Sequence, residues 1–448
     1  MAVKISLIGA GSGAFSLDLI RDICATPRLA GSTVSFMDVD ESRLEGVYGL
    51  SRRLADEAGI RMDFERTTDR LKSLAGADFV INTALAAGHH RLRAGWDIAR
   101  RHGYRFGGSL HVMHDEAFWI NFFQLALAEA VQRDILDACP KAWYLLVANP
   151  VLMATTLLRR KYPGAKMVGL CHGWMGVHSL AGLLGLEKEH LSFEVPGVNH
   201  FIWLNKFQYK GHDAYPLLDK WLAEKSEAHF ATCGMSSHEG PKPMDIYRRF
   251  GLYAIGDTPT PGGGAWGWWY HADDATERKW QEDPDGWYQG YFDGVAGTAE
   301  RIRSAATGPV AKASELAGTG QSGESMIPLI ESIACDIPRT GIVNALNNEE
   351  LVPGVPRDFS VEVPADVDGK GIRGRKTSPL PRPIVAHILS DRVAPVEMEM
   401  AAFQAGSRKL LLDLLLMDPW TRTTAQAEAF LSDILAMPGN EEMTKHYR

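Results

Sequence analysis

SLIGAGSGAFSLDLI, residues 6–20, joins a short apolar run to a helix-like segment through three closely spaced glycines. The apolar run VKISLIGAG reads as a strand buried on both faces, and the stretch from Ser12 to about Thr26 reads as a helix. Gly9, Gly11 and Gly13 fall at the junction. A tight turn there lets backbone N–H groups and the positive end of a helix meet a pyrophosphate. The spacing departs from G-x-G-x-x-G, because position 14 is Ala.

The next strand-like run, STVSFMDVD, carries Asp38 near its end. A carboxylate at that place accepts ribose hydroxyls and repels a 2′-phosphate. Gly9, Gly11, Ser12, Gly13 and Asp38 together predict an NAD site, with NAD favoured over NADP. A purely structural glycine turn is the alternative.

Outward from this turn, strand-like and helix-like segments alternate. An amphipathic helix is expected from Glu41 to about Ala58 and a long helix from about Glu116 to Asp137. ADFVINTA, AWYLLVAN and AKMVGL supply further short apolar runs bounded by Gly, Asn or Pro. Such alternation predicts a parallel sheet covered by helices. After Val195 the rhythm changes to antiparallel-type strands with a Lys-Gly turn at 210–211. A Gly- and Trp-rich stretch from Thr258 to Trp287 reads as an exposed loop, and 394–437 as helices. The expected fold class is α/β: a Rossmann-like NAD-binding domain over 1–194, of the lactate/malate dehydrogenase kind. An α+β substrate and oligomerisation domain follows over 195–448.

Composition narrows the class. The chain has 448 residues, 45% hydrophobic and 23% charged, as in ordinary globular proteins. A formal net charge of −8 argues against nucleic acid or an anionic membrane as the main partner. No apolar run approaches the ~20 residues of a membrane helix. Five scattered cysteines suit free thiols in a reducing compartment, so a cytoplasmic address is expected.

Ligands of open α/β sheets bind beyond the carboxyl ends of the strands. Asn82, Asn149 and Cys171 each stand at such an end, and converge on one crevice unless the asparagines merely cap turns. Cys171 in VGLCHGWMGV and His200 in PGVNHFIWLNK form a donor pair suited to a soft or borderline divalent ion. A buried thiol and a hydrogen-bonded core histidine are the structural alternative.

The segments GAGSGAFSLDLI, MDVDESRL, INTA, ANP, GLCHGWMGV, GVNHFIWLNKFQYKGHDAYPLLDKW, YAIGDT and NEEMTKHY occur in order from Val3 to Tyr447. The series resembles glycoside hydrolase family 4, the NAD- and divalent-metal-dependent glycosidases, most densely over 169–220. Its Cys-His-Gly triplet resembles the α-glucosidase and α-glucuronidase branch.

The resemblance implies that Cys171 and His200 hold manganese and that Asn149 and Asn199 contact the sugar, with Asn82 beside the cofactor. It implies Asp257 as the base, and Asp115 or His172 as the acid. The implied chemistry is oxidation at sugar C3, deprotonation at C2 and elimination at C1, an exception among glycosidases. A carbohydrate substrate and a homodimer or homotetramer are expected. Trp266, Trp268, Trp269 and Tyr270 are candidates for a sugar platform or a subunit contact. His89, His90 and Arg91 are candidates for reaching a uronate, or form a solvated basic loop. The rival is a lactate/malate-type dehydrogenase, but the Asp-x-x-Arg plus His signature it needs is not evident.

Overall fold

The protein is described by a computed structural model that covers residues 1–12, 14–307, 312–318 and 320–448. Gly13, expected among the cofactor contacts, lies outside the described residues. Six parallel strands form the first half of a sheet: β1 (Lys4–Ile8), β2 (Thr33–Met37), β3 (Asp63–Thr67), β4 (Phe79–Asn82), β5 (Trp143–Leu146) and β6 (Met167–Gly169). Their order is β3-β2-β1-β4-β5-β6, the doubly wound arrangement of dinucleotide-binding folds. The central strand β1 is covered on both faces, and four of its five residues are buried. β3 (DFERT) was not anticipated, because an edge strand with charged, exposed residues lacks the apolar run used to recognise it.

The second half continues the same sheet. β7 (Leu191–Glu194), β10 (Lys206–Tyr209) and β11 (His212–Asp213) form a small separate sheet. β8 (Gly197–Val198), β9 (Phe201–Leu204), β12 (Tyr253–Ile255), β13 (Arg339–Leu346), β14 (Ser360–Asp368) and β15 (Gly371–Gly374) extend the large one. The antiparallel order runs β6-β13-β14-β8-β9-β12, so one sheet passes from the first half of the chain into the second. A hydrophobic core follows it across: Ile5, Leu7 and Val34 share a cluster with Val343, Ala365 and Val367.

One row of register pairs crosses the junction. Gly169 faces Asn344, Asn344 faces Glu362, and Glu362 faces Gly197. Cys171 lies two residues beyond the first member and His200 three beyond the last. The row therefore brings two residues distant in sequence to the same end of the sheet. The turn between β8 and β9 is Asn199–His200, with His200 in the left-handed region at φ 58°. A non-glycine residue there costs of order 1 kcal/mol, and such strain gathers at functional sites. Among the described residues, no helix is long and apolar enough to cross a membrane.

Candidate active site

The glycine turn is built as the sequence requires. Gly9 has φ 87°, and a Cβ on it would lie 2.6 Å from the Ala84 backbone, so only glycine fits. Gly11 N–H donates to Asp38 Oδ2 at 2.7 Å, which places the carboxylate of β2 directly over the turn. Ser12 closes a single 3₁₀ turn, Ala10–Ser12, before the helix Ala14–Cys24. Asn82 has a buried side chain that donates to the Tyr144 hydroxyl at 2.9 Å and accepts from Ala84 N–H at 3.1 Å. It ties the strand ends together next to the glycine turn, since Ala84 is also what closes on Gly9.

Beyond the strand ends, donor atoms of Cys171, His200 and Asp257 lie within 4.8 Å of one another. His200 Nε2 is 3.9 Å from Asp257 Oδ2, and its Nδ1 is 3.1 Å from Glu116 Oε1. Burial alone would depress the His200 imidazole pKa. Cys171 and Glu116 outweigh it and push the value well above the ordinary one. For Cys171, burial dominates and raises the thiol pKa, with His200 pulling the other way. A thiol beside an imidazole in a desolvated crevice is chemistry that a cation completes, because metal binding displaces the proton.

Asp257 sits against glycine on two sides. A Cβ at Gly173 would lie 3.2 Å from its Oδ2 and 3.8 Å from Cys171 Sγ, and one at Gly262 would lie 2.7 Å from its Oδ1. The Gly262–Gly264 run is thus the wall of the crevice, and any side chain would fill it. This corrects the expectation of an exposed loop. Trp266 and Tyr270 are buried, and Trp266 packs edge-on against Phe201 with ring centroids 4.9 Å apart. Trp268 is exposed but packs beside Trp420.

Asp115 receives Asn149 Nδ2–H at 3.0 Å and lies 3.0 Å from His114 Nδ1. Burial works against its ionisation, but His114, His200 and Asn149 hold its carboxyl well below the usual carboxylate range. His172 is more open and pairs through Nδ1 with Glu324 Oε1 at 2.9 Å. That bond is the main reason its pKa is raised. Asn199 is fully buried, and its Nδ2–H donates to Glu362 Oε2 at 3.0 Å. Asn344 Nδ2–H donates to the same oxygen at 3.1 Å. Asn199 therefore supports the His200 turn from beneath.

Arg91 does not reach the crevice, since it donates to Gly439 O at 2.8 Å and docks the C-terminal segment. His90 is exposed. His89 packs edge-on against Tyr291, 5.7 Å away between centroids. Tyr291 belongs to the helix Pro284–Thr307, whose Tyr288 hydroxyl donates to Pro261 O at 2.8 Å. Burial, with the nearby Asp115 charge, pushes the Tyr291 hydroxyl up to about 12. These aromatics, Glu116 and Glu362 were not anticipated as crevice groups. Nothing in their local sequence marks them, because their placement depends on long-range packing.

A doubly wound dinucleotide fold with a thiol, imidazole and carboxylate cluster at the strand ends defines the class of protein. Family models resolve it further: the family 4 glycosyl hydrolase model matches residues 4–185, and its C-terminal domain model matches 195–421. The chain belongs to glycosyl hydrolase family 4. It is 26% identical over 458 residues to an alpha-glucosidase of Erwinia rhapontici, covering 93% of this chain and 94% of that one. It is 25% identical to an alpha-galacturonidase of Lachnoclostridium phytofermentans, over 56% of this chain and 57% of the relative. Its fold matches a 6-phospho-alpha-glucosidase from gut microorganisms in complex with NAD and Mn2+. That match has a TM-score of 0.79 at 17% identity over 99% of each chain. The likeness extends to a lactate dehydrogenase from Eimeria maxima, with a TM-score of 0.55 at 15% identity over 91% and 96% of the two chains.

Proposed function

We propose that the protein hydrolyses α-linked hexosides with NAD and a divalent metal, manganese by preference. The observation that carries this reading is the Cys171–His200–Asp257 cluster beside the Gly9–Gly11 turn and Asp38. Family membership and the NAD- and Mn2+-bound neighbour support it. We treat 1–194 as the cofactor half and 195–448 as the substrate half. A cytoplasmic address rests on the five free thiols.

The donor set fits the metal. A thiolate and an imidazole Nε2 suit a borderline divalent ion, and Gly173 leaves the space between Cys171 and Asp257 open. Bound beside Gly9, Gly11 and Asp38, NAD would supply hydride-transfer chemistry, and an ion held by Cys171 and His200 would supply Lewis-acid chemistry. Gly9, Gly11 and Ser12 would present backbone to the pyrophosphate and Asp38 would accept the ribose hydroxyls.

Asn149 faces the crevice and would orient the sugar, with Asp115 fixing its amide. Asp257, held between Gly173 and Gly262, removes the C2 proton. For the proton delivered to the leaving group, Glu324 favours the imidazolium of His172, whereas the imidazoles around Asp115 favour its carboxylate. His172 is therefore the preferred donor.

The test is release of 4-nitrophenol from 4-nitrophenyl α-glucoside, α-galactoside and α-galacturonide, with and without NAD⁺ and Mn²⁺, following NADH in parallel. Release that needs both cofactors, with no net NADH, is the expected result. Steady NADH accumulation would instead make the protein a dehydrogenase of the lactate/malate kind.

A further inference from the structure

The buried carboxylate of Glu116 has no part in the chemistry above. Its side chain is 1% exposed, and among the described residues its one ion-pair partner is His200. The second oxygen, Oε2, is buried without a hydrogen-bond partner. Ionised carboxylates are rarely held this way, since desolvation costs several kcal/mol unless something offsets it.

The backbone of Glu116 is fixed on both sides. Its N–H donates to His114 Nδ1 at 3.2 Å, and its carbonyl accepts from Asn121 Nδ2–H at 2.6 Å. His114 is in turn anchored through Nε2 to Gly262 O at 2.9 Å. The loop that carries Glu116 is therefore tied to the wall that flanks Asp257.

A compensating charge lies behind it. Arg392 is 2% exposed, donates to Gly263 O at 3.0 Å and rests over the Phe201 ring at 4.7 Å. Burial lowers its pKa to about 10, and the Asp391 and Glu116 charges act against that lowering. Its Nε has no partner, as Glu116 Oε2 has none. The guanidinium makes no direct ion pair with Glu116, whose ion-pair contact among the described residues is with the imidazole.

We infer that Glu116 is the positioning residue of the metal centre: its carboxylate engages His200 Nδ1, which directs Nε2 toward Cys171 and Asp257, and Arg392 supplies the buried counter-charge. A ligating imidazole commonly gives its second N–H to such an acceptor, which sets the tautomer and raises the basicity of the ligating nitrogen. The 3.1 Å approach of Glu116 to His200 is short but falls outside linear hydrogen-bond geometry.

This inference rests on the metal reading of the cluster, and its test separates the two. Mn²⁺ affinity is measured by isothermal titration on the full chain without substrate, for wild type, Cys171→Ser, His200→Gln, Glu116→Gln and Glu116→Ala. Thermal unfolding of each metal-free variant provides the folding control. Glu116→Gln, which keeps the shape and an acceptor oxygen, is expected to bind Mn²⁺ about 10-fold more weakly, and Glu116→Ala about 100-fold. NAD⁺ affinity should be unchanged in both. If Cys171→Ser and His200→Gln lose Mn²⁺ while Glu116→Gln and Glu116→Ala bind it as wild type does, the positioning role is overturned and the metal site stands. If Cys171→Ser and His200→Gln also bind as wild type does, the metal reading itself fails, and this inference with it. Should Glu116→Ala not fold, Glu116→Gln decides alone.

Discussion

Two buried polar clusters in this molecule look alike in composition and differ in how completely they are satisfied. Around the crevice, Asp115 Oδ1, Glu116 Oε2, His200 Nδ1, Glu362 Oε1 and Arg392 Nε all lack a hydrogen-bond partner among the described residues. Under the far end of the Gly/Trp loop, Lys242 is fully buried yet donates to His271 Nε2 at 2.9 Å and to Glu282 Oε2 at 3.1 Å. His271 Nδ1–H reaches Glu277 Oε1 at 3.1 Å, and Arg105 closes the set on Glu277 and Asp274. Burial drives the His271 pKa well below its ordinary value, so the ring stays neutral and passes one N–H onward. Buried polar groups are normally paired. Among the described residues the Lys242 cluster leaves one atom unpartnered, Arg105 Nε, and this cluster holds the loop in place; the less complete crevice cluster is arranged for atoms that arrive with a ligand.

The sharpest way to break this contrast is to damage each cluster and ask what is lost. Cys171→Ser should cost about 10³-fold or more in cofactor-dependent turnover, the several kcal/mol that a Lewis acid contributes. Its unfolding free energy should stay within about 1 kcal/mol of wild type. Lys242→Met should do the reverse. It removes the only cation hydrogen-bonded to the buried Glu282 carboxylate among the described residues, so about 3 kcal/mol of stability should disappear in a denaturant titration. Turnover per folded molecule should stay near wild type. Equal stability losses in the two variants would erase the distinction.

A smaller effect tests the glycine turn. Asp38 meets Gly11 N–H now, and ribose hydroxyls would share that carboxylate. Asp38→Ala should weaken NAD⁺ binding about 10-fold, the scale of one charge-assisted hydrogen bond. NADP⁺ binding should fall less or improve. Parallel losses for both dinucleotides would place Asp38 in the turn's architecture alone.

The sequence was readable where chemistry is local. The strand–glycine–helix junction at 4–24, the helix Glu41–Ala58 and the Lys210–Gly211 turn follow from apolar periodicity and turn residues, and the fold holds them. Cys171 and His200 were paired as donors suited to a divalent ion, and the resemblance implied manganese. The reason they meet is the row Gly169, Asn344, Glu362, Gly197, which only the register of four strands reveals. Gly262–Gly264 read as part of an exposed loop. Here Gly262 and Gly263 mark close approach to Asp257 and Gly264 to Leu110, a property of their partners that is invisible in the loop's own residues. Asn82 and Asn199 show a related ambiguity: an asparagine at a strand end can serve a ligand or a turn, and the partners seen here are Tyr144, Ala84 and Glu362.

The mildest prediction uses pH to separate the clusters. Glu277 is pushed up to about 7, chiefly by burial, with Arg105 pulling it down. Its folded pKa thus lies above the unfolded value near 4.5. Such a group holds its proton more tightly in the native state. Its contribution to stability is complete below the unfolded pKa and is lost as pH rises through about 7. The side chain is 19% exposed and partly ion-paired. The expected loss between pH 5 and pH 8 is therefore only about 1 kcal/mol. Glu277→Gln should remove that slope, matching wild type at pH 5 and exceeding it by about 1 kcal/mol at pH 8 in urea unfolding. Mn²⁺ affinity should be identical in the two proteins at both pH values, because this cluster supports the loop and not the crevice ligands. An unchanged stability slope would mean that the Arg105 pair already keeps Glu277 ionised. A changed metal affinity would mean that the Lys242 cluster reaches the crevice through the loop, and the two regions would then have to be treated as one.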